Sequence, residues 1–239
     1  MNIQPDNVCL VLTATIIPNT KQVAVSGVNE RRNHYLQALR FYREKFSGSI
    51  YFLENSSYDF SQDAEFQRLF QQNITLVKFS FVDSDDKGKG YMEFRMLDEF
   101  FNHHKPKENY FLKITGRYLV KNFNQLIPAL YYKIIADAHK KMKVTLTGVF
   151  FCSIDDYLKN ISGLYNKAND KEGKYIEHVL YENLTLNGKT RLFNVNPVIE
   201  GVSGSYGDSL KRNPLKMKVR QVERKLLNTL KINQFLIEY

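Results

Sequence analysis

The sequence predicts an α/β fold: one mostly parallel sheet flanked by helices, in a single domain over residues 1–239. Three observations carry this. Short, continuous apolar runs rich in β-branched and aromatic residues recur along the chain, as in strands buried on both faces. Segments with apolar residues three and four apart separate them, as in helices with one buried face. No internal repeat or low-complexity linker divides the chain, and 239 residues suffice for one sizeable core.

The elements follow in order. Residues 8–15, VCLVLTAT, read as a strand. Asn29 is placed to cap a helix over 30–46, with Tyr35, Leu39, Tyr42 and Phe46 on one face and Gly48 after it. Residues 50–53 read as a second strand, 63–72 as helix, 74–82 as strand, 90–103 as helix and 110–114 as a fourth strand. This alternation is that of a doubly wound sheet. Ligands bind such sheets beyond the carboxyl ends of the strands, so the loops after Thr15, Glu54, Phe81 and Thr115 are the ones to watch. In the second half, 123–141 read as a helix broken or kinked at Pro128, 144–151 as a buried strand, 175–184 as a short helix and 193–202 as extended chain. The tail from Lys211 reads as a basic helix.

No apolar run approaches the roughly 20 residues that span a bilayer, and residues 1–7 lack the layout of a secretion signal. The expected location is cytoplasmic. Cys9 and Cys152 lie in apolar stretches and read as buried, reduced thiols. The formal net charge of +9 suits a nucleic acid, an anionic membrane or a phosphorylated substrate. Nucleic acid is the disfavoured partner, because the basic residues are spread out and match no recognition motif.

Lys87-Gly88-Lys89-Gly90 precedes a helix. Glycines allow a ligand close to the backbone, the helix start offers free N–H groups, and the lysines add charge for a diphosphate. Glu30-Arg31-Arg32 opens the first helix, where Arg31 is placed to reach the same phosphates.

The order of these segments resembles the nucleotide-binding half of GT-A glycosyltransferases over roughly residues 1–120. Residues 11–18 are similar to that family's first strand and loop, which brings in Thr13 and Thr15. Glu54 and Asn55 fall at the end of its second strand, where an acid often contacts base or ribose. Residues 87–93 resemble the turn and helix that line the donor diphosphate. Residues 111–118, FLKITGRY, with Asn122 soon after, resemble bacterial transferases that build capsule and lipopolysaccharide chains. Here the family usually carries a metal-binding Asp-x-Asp, and this chain has Thr115-Gly116-Arg117 instead. No cofactor is therefore assigned; Mg or Mn is the ion that the family would use. Two readings of Arg117 stay open. It replaces the metal by binding the diphosphate, with Lys113 beside it, or it pairs with a nearby acid. A literal Asp83-Ser84-Asp85 lies one strand too early and reads as a solvated acidic loop.

The resemblance implies transfer of a sugar from a nucleotide-sugar donor, a UDP-sugar first, to a glycan or lipid-linked acceptor in surface polysaccharide synthesis. It also implies an acidic base in the acceptor half, residues 121–210, if transfer inverts. Glu177 is the first candidate and Asp155 or Asp156 the next, each against the plainer reading of a surface acid. Residues 201–207, GVSGSYG, suit a lid or a plain turn. In the basic helix, within 211–239, Val219, Val222, Leu226 and Leu230 form an apolar stripe. Either the stripe packs on the core with the basic face in water, or residues 211–231 dock on anionic lipid and make the protein peripheral to the membrane. A nucleotidyltransferase acting on a sugar phosphate, and a non-enzymatic nucleic-acid binder, are the competing functions.

Overall fold

The computed structural model describes residues 3–18, 27–81, 87–201 and 213–237. The first half runs β1 (Val8–Ala14), α1 (Val28–Lys45), β2 (Ile50–Glu54), α2 (Ala64–Phe70), β3 (Ile74–Lys78), α3 (Lys89–His103), β4 (Tyr110–Thr115) and a short β5 (Leu119–Val120). The second half runs β6 (Ile134–His139), β7 (Val144–Ser153), α4 (Ile154–Asn160), α5 (Ile176–Leu180), β8 (Thr190–Arg191), β9 (Ile199–Glu200) and α6 (Pro214–Thr229).

One seven-stranded sheet, ordered β3-β2-β1-β4-β7-β6-β8, draws strands from both halves. β1 pairs in parallel with β2 and β4, and β2 with β3. β7 is antiparallel to both β4 and β6, and β8 is parallel to β6. In this sheet β7 alone therefore runs against the others. β5 and β9 form a separate antiparallel pair.

β1 shows why the sheet is central. Val8, Leu10, Leu12 and Ala14 face one core, with Tyr35, Leu39 and Tyr42 of α1. Cys9 and Val11 face the other, with Phe94, Leu97 and Phe100 of α3. Both faces are covered, so the strand is apolar throughout instead of alternating. Cys9 and Cys152 are buried free thiols.

Three sequence expectations change. Residues 123–141 are not a helix: a 3-10 turn at Phe123–Leu126 leads to β6. β6 is buried at every position, so its apolar spacing carried no strand period. α1 begins at Val28 with Gly27 as its N-cap, not at an Asn29 cap. The helix expected over 175–184 is α5 followed by a π-helical turn, Tyr181–Thr185. The Asp83-Ser84-Asp85 loop, Lys211 and most of the 201–207 loop lie outside the described residues. Among the described residues no helix is long and apolar enough to cross a membrane.

Candidate active site

The carboxyl ends of β1, β2 and β4 meet in register, Thr13 beside Thr115 and Ala14 beside Glu54. The loop after β1 is then held rigidly. The Ile16 N–H donates to Glu54 Oε1 at 3.0 Å, the Thr15 hydroxyl to Asn55 Oδ1 at 2.6 Å, and the Ile17 N–H to Ser56 Oγ at 3.1 Å. Arg31 Nε donates to the Thr15 carbonyl at 2.8 Å, and its Nη2 reaches the same oxygen.

This corrects the expectation for Glu54. Its side chain is fully buried, accepts from the backbone of Ile16 and Ser56 and from the Ser56 hydroxyl, and lies 3.3 Å from Lys78 Nζ. The carboxylate fixes the loop instead of contacting a base or ribose. Asn55 and Thr15 are likewise engaged with each other.

Lys113 also takes a different role. It is fully buried in β4, and its ammonium bonds Glu93 Oε1 at 2.6 Å, the Thr147 carbonyl at 2.8 Å and Thr115 Oγ1 at 3.3 Å. Three donors meet three acceptors, which leaves none for a phosphate. Thr13 Oγ1 donates to the same Glu93 oxygen at 2.5 Å. Glu93 was not among the expected site residues. The signal was available: a lysine inside a strand buried on both faces needs a carboxylate partner.

The lysine–glycine turn is used differently as well. Gly88 has φ 106°, and a Cβ there would collide with the Asp170 side chain. At Gly90 a Cβ would lie 2.4 Å from Ile176 Cγ2. The glycines admit protein from the second half, where a ligand was expected. Lys87 Nζ lies over the Tyr91 ring, 5.0 Å from its centroid.

What remains at the strand ends is cationic. Gly116 donates its N–H to the Thr13 carbonyl at 2.8 Å, and a Cβ there would sit 2.8 Å from that oxygen. Only glycine permits this close approach to β1 at the end of β4, and Arg117 follows it. Burial and then the charge of Arg117 hold Arg31 below its ordinary pKa. Lys89, half-buried, is lowered by burial, by Arg117 and by Arg31, against Asp170 and Glu177. His34 is lowered by burial and by the same two arginines, against Glu30. These groups share one field. Arg117 Nε is buried and has no hydrogen-bond partner among the described residues. The guanidinium carbon lies 6.0 Å from the Tyr118 ring centroid.

Arg31, Lys89 and Arg117 lie close enough to perturb one another where the resemblance would seat a divalent ion, and among the described residues no cluster of His, Cys, Asp and Glu able to hold a metal occurs; Asp83 and Asp85 lie outside them.

Of the expected bases, Glu177 adjoins this ground. Thr147 Oγ1 donates to Glu177 Oε1 at 2.9 Å, and the Thr147 carbonyl holds Lys113. Asp155 and Asp156 do not. They open α4 after Ser153, which pairs with Tyr110 at the start of β4. That is the opposite end of the sheet, about 16 Å away along the strand. Asp156 there accepts from Tyr131 at 2.7 Å and from Ser153 at 3.1 Å.

No protein-family model matches the chain, and no curated protein matches it by sequence. Solved structures do resemble it. The glycosyltransferase GlyE of Streptococcus pneumoniae TIGR4 aligns with a TM-score of 0.51 at 11% identity, over 77% of this chain and 44% of GlyE. The chain thus spans less than half the length of that enzyme. The inositol-1-phosphate CTP transferase of T. maritima aligns with a TM-score of 0.51 at 12% identity, over 92% of this chain and 97% of that one. The galactosyltransferase LgtC aligns with a TM-score of 0.49 at 8% identity, over 77% and 72%. The fold is of the GT-A type.

Proposed function

We propose that this chain binds a nucleotide-sugar donor, a UDP-sugar first, through its diphosphate and transfers the sugar to a hydroxyl acceptor. The observation that carries the reading is the convergence of Arg31, Lys89 and Arg117 at the ends of β1 and β4, with Arg117 Nε buried and without a hydrogen-bond partner among the described residues. A diphosphate supplies an acceptor for this nitrogen, and the donor-binding set is Arg31, Lys89 and Arg117, while Thr13, Thr15 and Gly116 shape the strand ends through their bonds within the protein. Fixed cations take the place of a metal: they stabilise the diphosphate as it leaves. In an inverting transfer, Glu177 removes the proton from the acceptor hydroxyl as that oxygen attacks the anomeric carbon. The acceptor that fits a bacterial surface-polysaccharide role is a glycan or a lipid-linked sugar.

The T. maritima alignment, which covers nearly all of both chains, favours a second reading: transfer of a nucleotidyl group to a sugar phosphate. That reaction consumes a nucleoside triphosphate and releases pyrophosphate, whereas sugar transfer releases a nucleoside diphosphate.

Thermal shift with nucleoside triphosphates, diphosphates and nucleotide sugars tests both readings. Stabilisation by UDP or a UDP-sugar that survives EDTA is expected. A shift confined to a triphosphate with Mg, with pyrophosphate release, would establish the second reading. Once a transferred sugar is found, Glu177→Gln is expected to slow turnover about a hundredfold to ten-thousandfold with donor affinity kept. Asp156→Asn is expected to leave turnover intact.

A further inference from the structure

α6 carries the unabsorbed feature. Its inward face is secured by a few strong contacts. Arg224 is fully buried; it bonds Asp137 through both Nη atoms, the Phe193 carbonyl at 3.0 Å and Asn196 Oδ1 at 2.5 Å. Leu227 packs with Leu192 and Leu236. Asn196 Nδ2 donates to the Met217 carbonyl at 2.7 Å. With the inward face so occupied, the apolar stripe cannot pack on the core. Val219, Val222 and Leu226 are 62%, 57% and 59% exposed, and Leu215 and Leu230 extend the line at either end. At about 100° per residue, Leu226 lies on the side of the helix opposite Arg224.

The flanks are cationic. Lys218 and Lys225 border the stripe on one side and Lys216 on the other, all exposed. Glu223 is the one acid of α6, and its carboxylate accepts the Ile237 N–H at 2.6 Å. An aqueous surface does not call for an unbroken line of exposed Leu and Val. A second copy of the helix would bring like charges together along both flanks. Lysines that border an apolar line suit a surface where acyl chains lie beneath anionic headgroups: the stems lie along the apolar layer while the ammonium groups reach phosphate.

We propose that the outward face of α6 docks the protein on an anionic lipid surface, with Val219, Val222 and Leu226 entering the acyl boundary and Lys216, Lys218 and Lys225 pairing with headgroups. Docking needs no transmembrane segment, and it stands apart from the sugar-transfer reading, so either can fail alone. It would present the sheet edge that carries β6 and β8 to the bilayer.

Vesicle flotation of the full-length protein tests this, with phosphatidylcholine vesicles and with phosphatidylcholine–phosphatidylglycerol vesicles. Flotation with the anionic vesicles only is expected, weakening as salt rises. Val222→Ser with Leu226→Ser is expected to weaken partitioning about tenfold or more. Lys218→Glu with Lys225→Glu is expected to abolish the preference for anionic vesicles. These positions are solvent-exposed, and an unchanged melting temperature checks that each variant is folded. Equal binding to both vesicle types, or binding that the Ser variant keeps, overturns the proposal. So does a concentration-dependent dimer that the Ser variant dissolves, with no vesicle binding; a second copy would then be the occupant.

Discussion

Arg224 and Arg117 are both drawn into the protein, and the fold treats them in opposite ways. Every nitrogen of Arg224 meets an acceptor, in Asp137, Asn196 or the Phe193 carbonyl. Arg117 bonds the Tyr118 side chain but keeps a buried Nε with no partner among the described residues, and its charged neighbours include Arg31 and Lys89. An arginine completed by the chain is a clamp between elements. An arginine left incomplete among other cations costs stability unless an anion arrives. The first ties α6 to the sheet; the second is the residue that we propose binds the donor diphosphate.

Breaking the clamp gives the larger effect. Arg224→Met leaves Asp137 buried without its partner and is expected to cost about 3–5 kcal/mol. Urea unfolding measures this, and the stabilisation added by a bound nucleotide is expected to persist. A loss below 1 kcal/mol would show that the pair contributes little and would erase the contrast.

Arg117→Ala is expected to do the reverse. Loss of a charge-assisted pair to phosphate costs about 2–3 kcal/mol of donor binding, roughly 30- to 150-fold in Kd. Stability is expected to stay level or rise slightly, because a like charge leaves the cluster. Calorimetric titration with the nucleotide ligand, repeated in EDTA, reads the first effect and a melting curve the second. A fall in stability comparable to that of Arg224→Met, with donor binding kept, would make Arg117 structural.

The contrast also explains what the sequence disclosed. Strands buried on both faces announce themselves as apolar runs, and β1, β2 and β4 were legible for that reason. β6 is equally buried, but it fell inside a segment read as helix with a break or kink at Pro128. Sequence does not disclose strand direction. Because β7 is antiparallel, Asp155 and Asp156 emerge at the wrong end of the sheet. Residue type suggested that Lys113, Glu54 and Gly88 serve a ligand, but each is used up inside the protein, by Glu93, by the Ile16 and Ser56 backbone, and by the approach of Asp170. Arg117 was legible as a candidate, but the burial of its Nε without a partner among the described residues was not: that depends on how the fold places its neighbours. The stripe on α6 was visible, and its outward orientation was not, because the helix is anchored through arginines that sequence reading assigns to water.

A third arginine sharpens the scale between clamp and ligand site. Arg32, near the surface, meets Asp63 with Nε–Oδ2 at 2.6 Å and Nη2–Oδ1 at 2.7 Å. Asp63 also caps α2 and accepts from Tyr58 at 2.6 Å. The Arg32 guanidinium, foremost, lowers the Asp63 pKa from 3.8 to about 2. A carboxyl lowered on folding stabilises the folded state above its unfolded pKa, and that stabilisation is lost as pH falls through the folded value. Wild type is therefore expected to exceed Asp63→Asn by about 1 kcal/mol near neutral pH, solvent screening of the pair having been discounted. The gap is expected to hold down to about pH 4 and to close as pH falls towards 2. Urea midpoints across this range measure it, and nucleotide binding is expected to be the same in both proteins. A gap that stays constant with pH would show that the effect does not depend on the charge of the carboxylate, and Arg32 would drop out of the comparison.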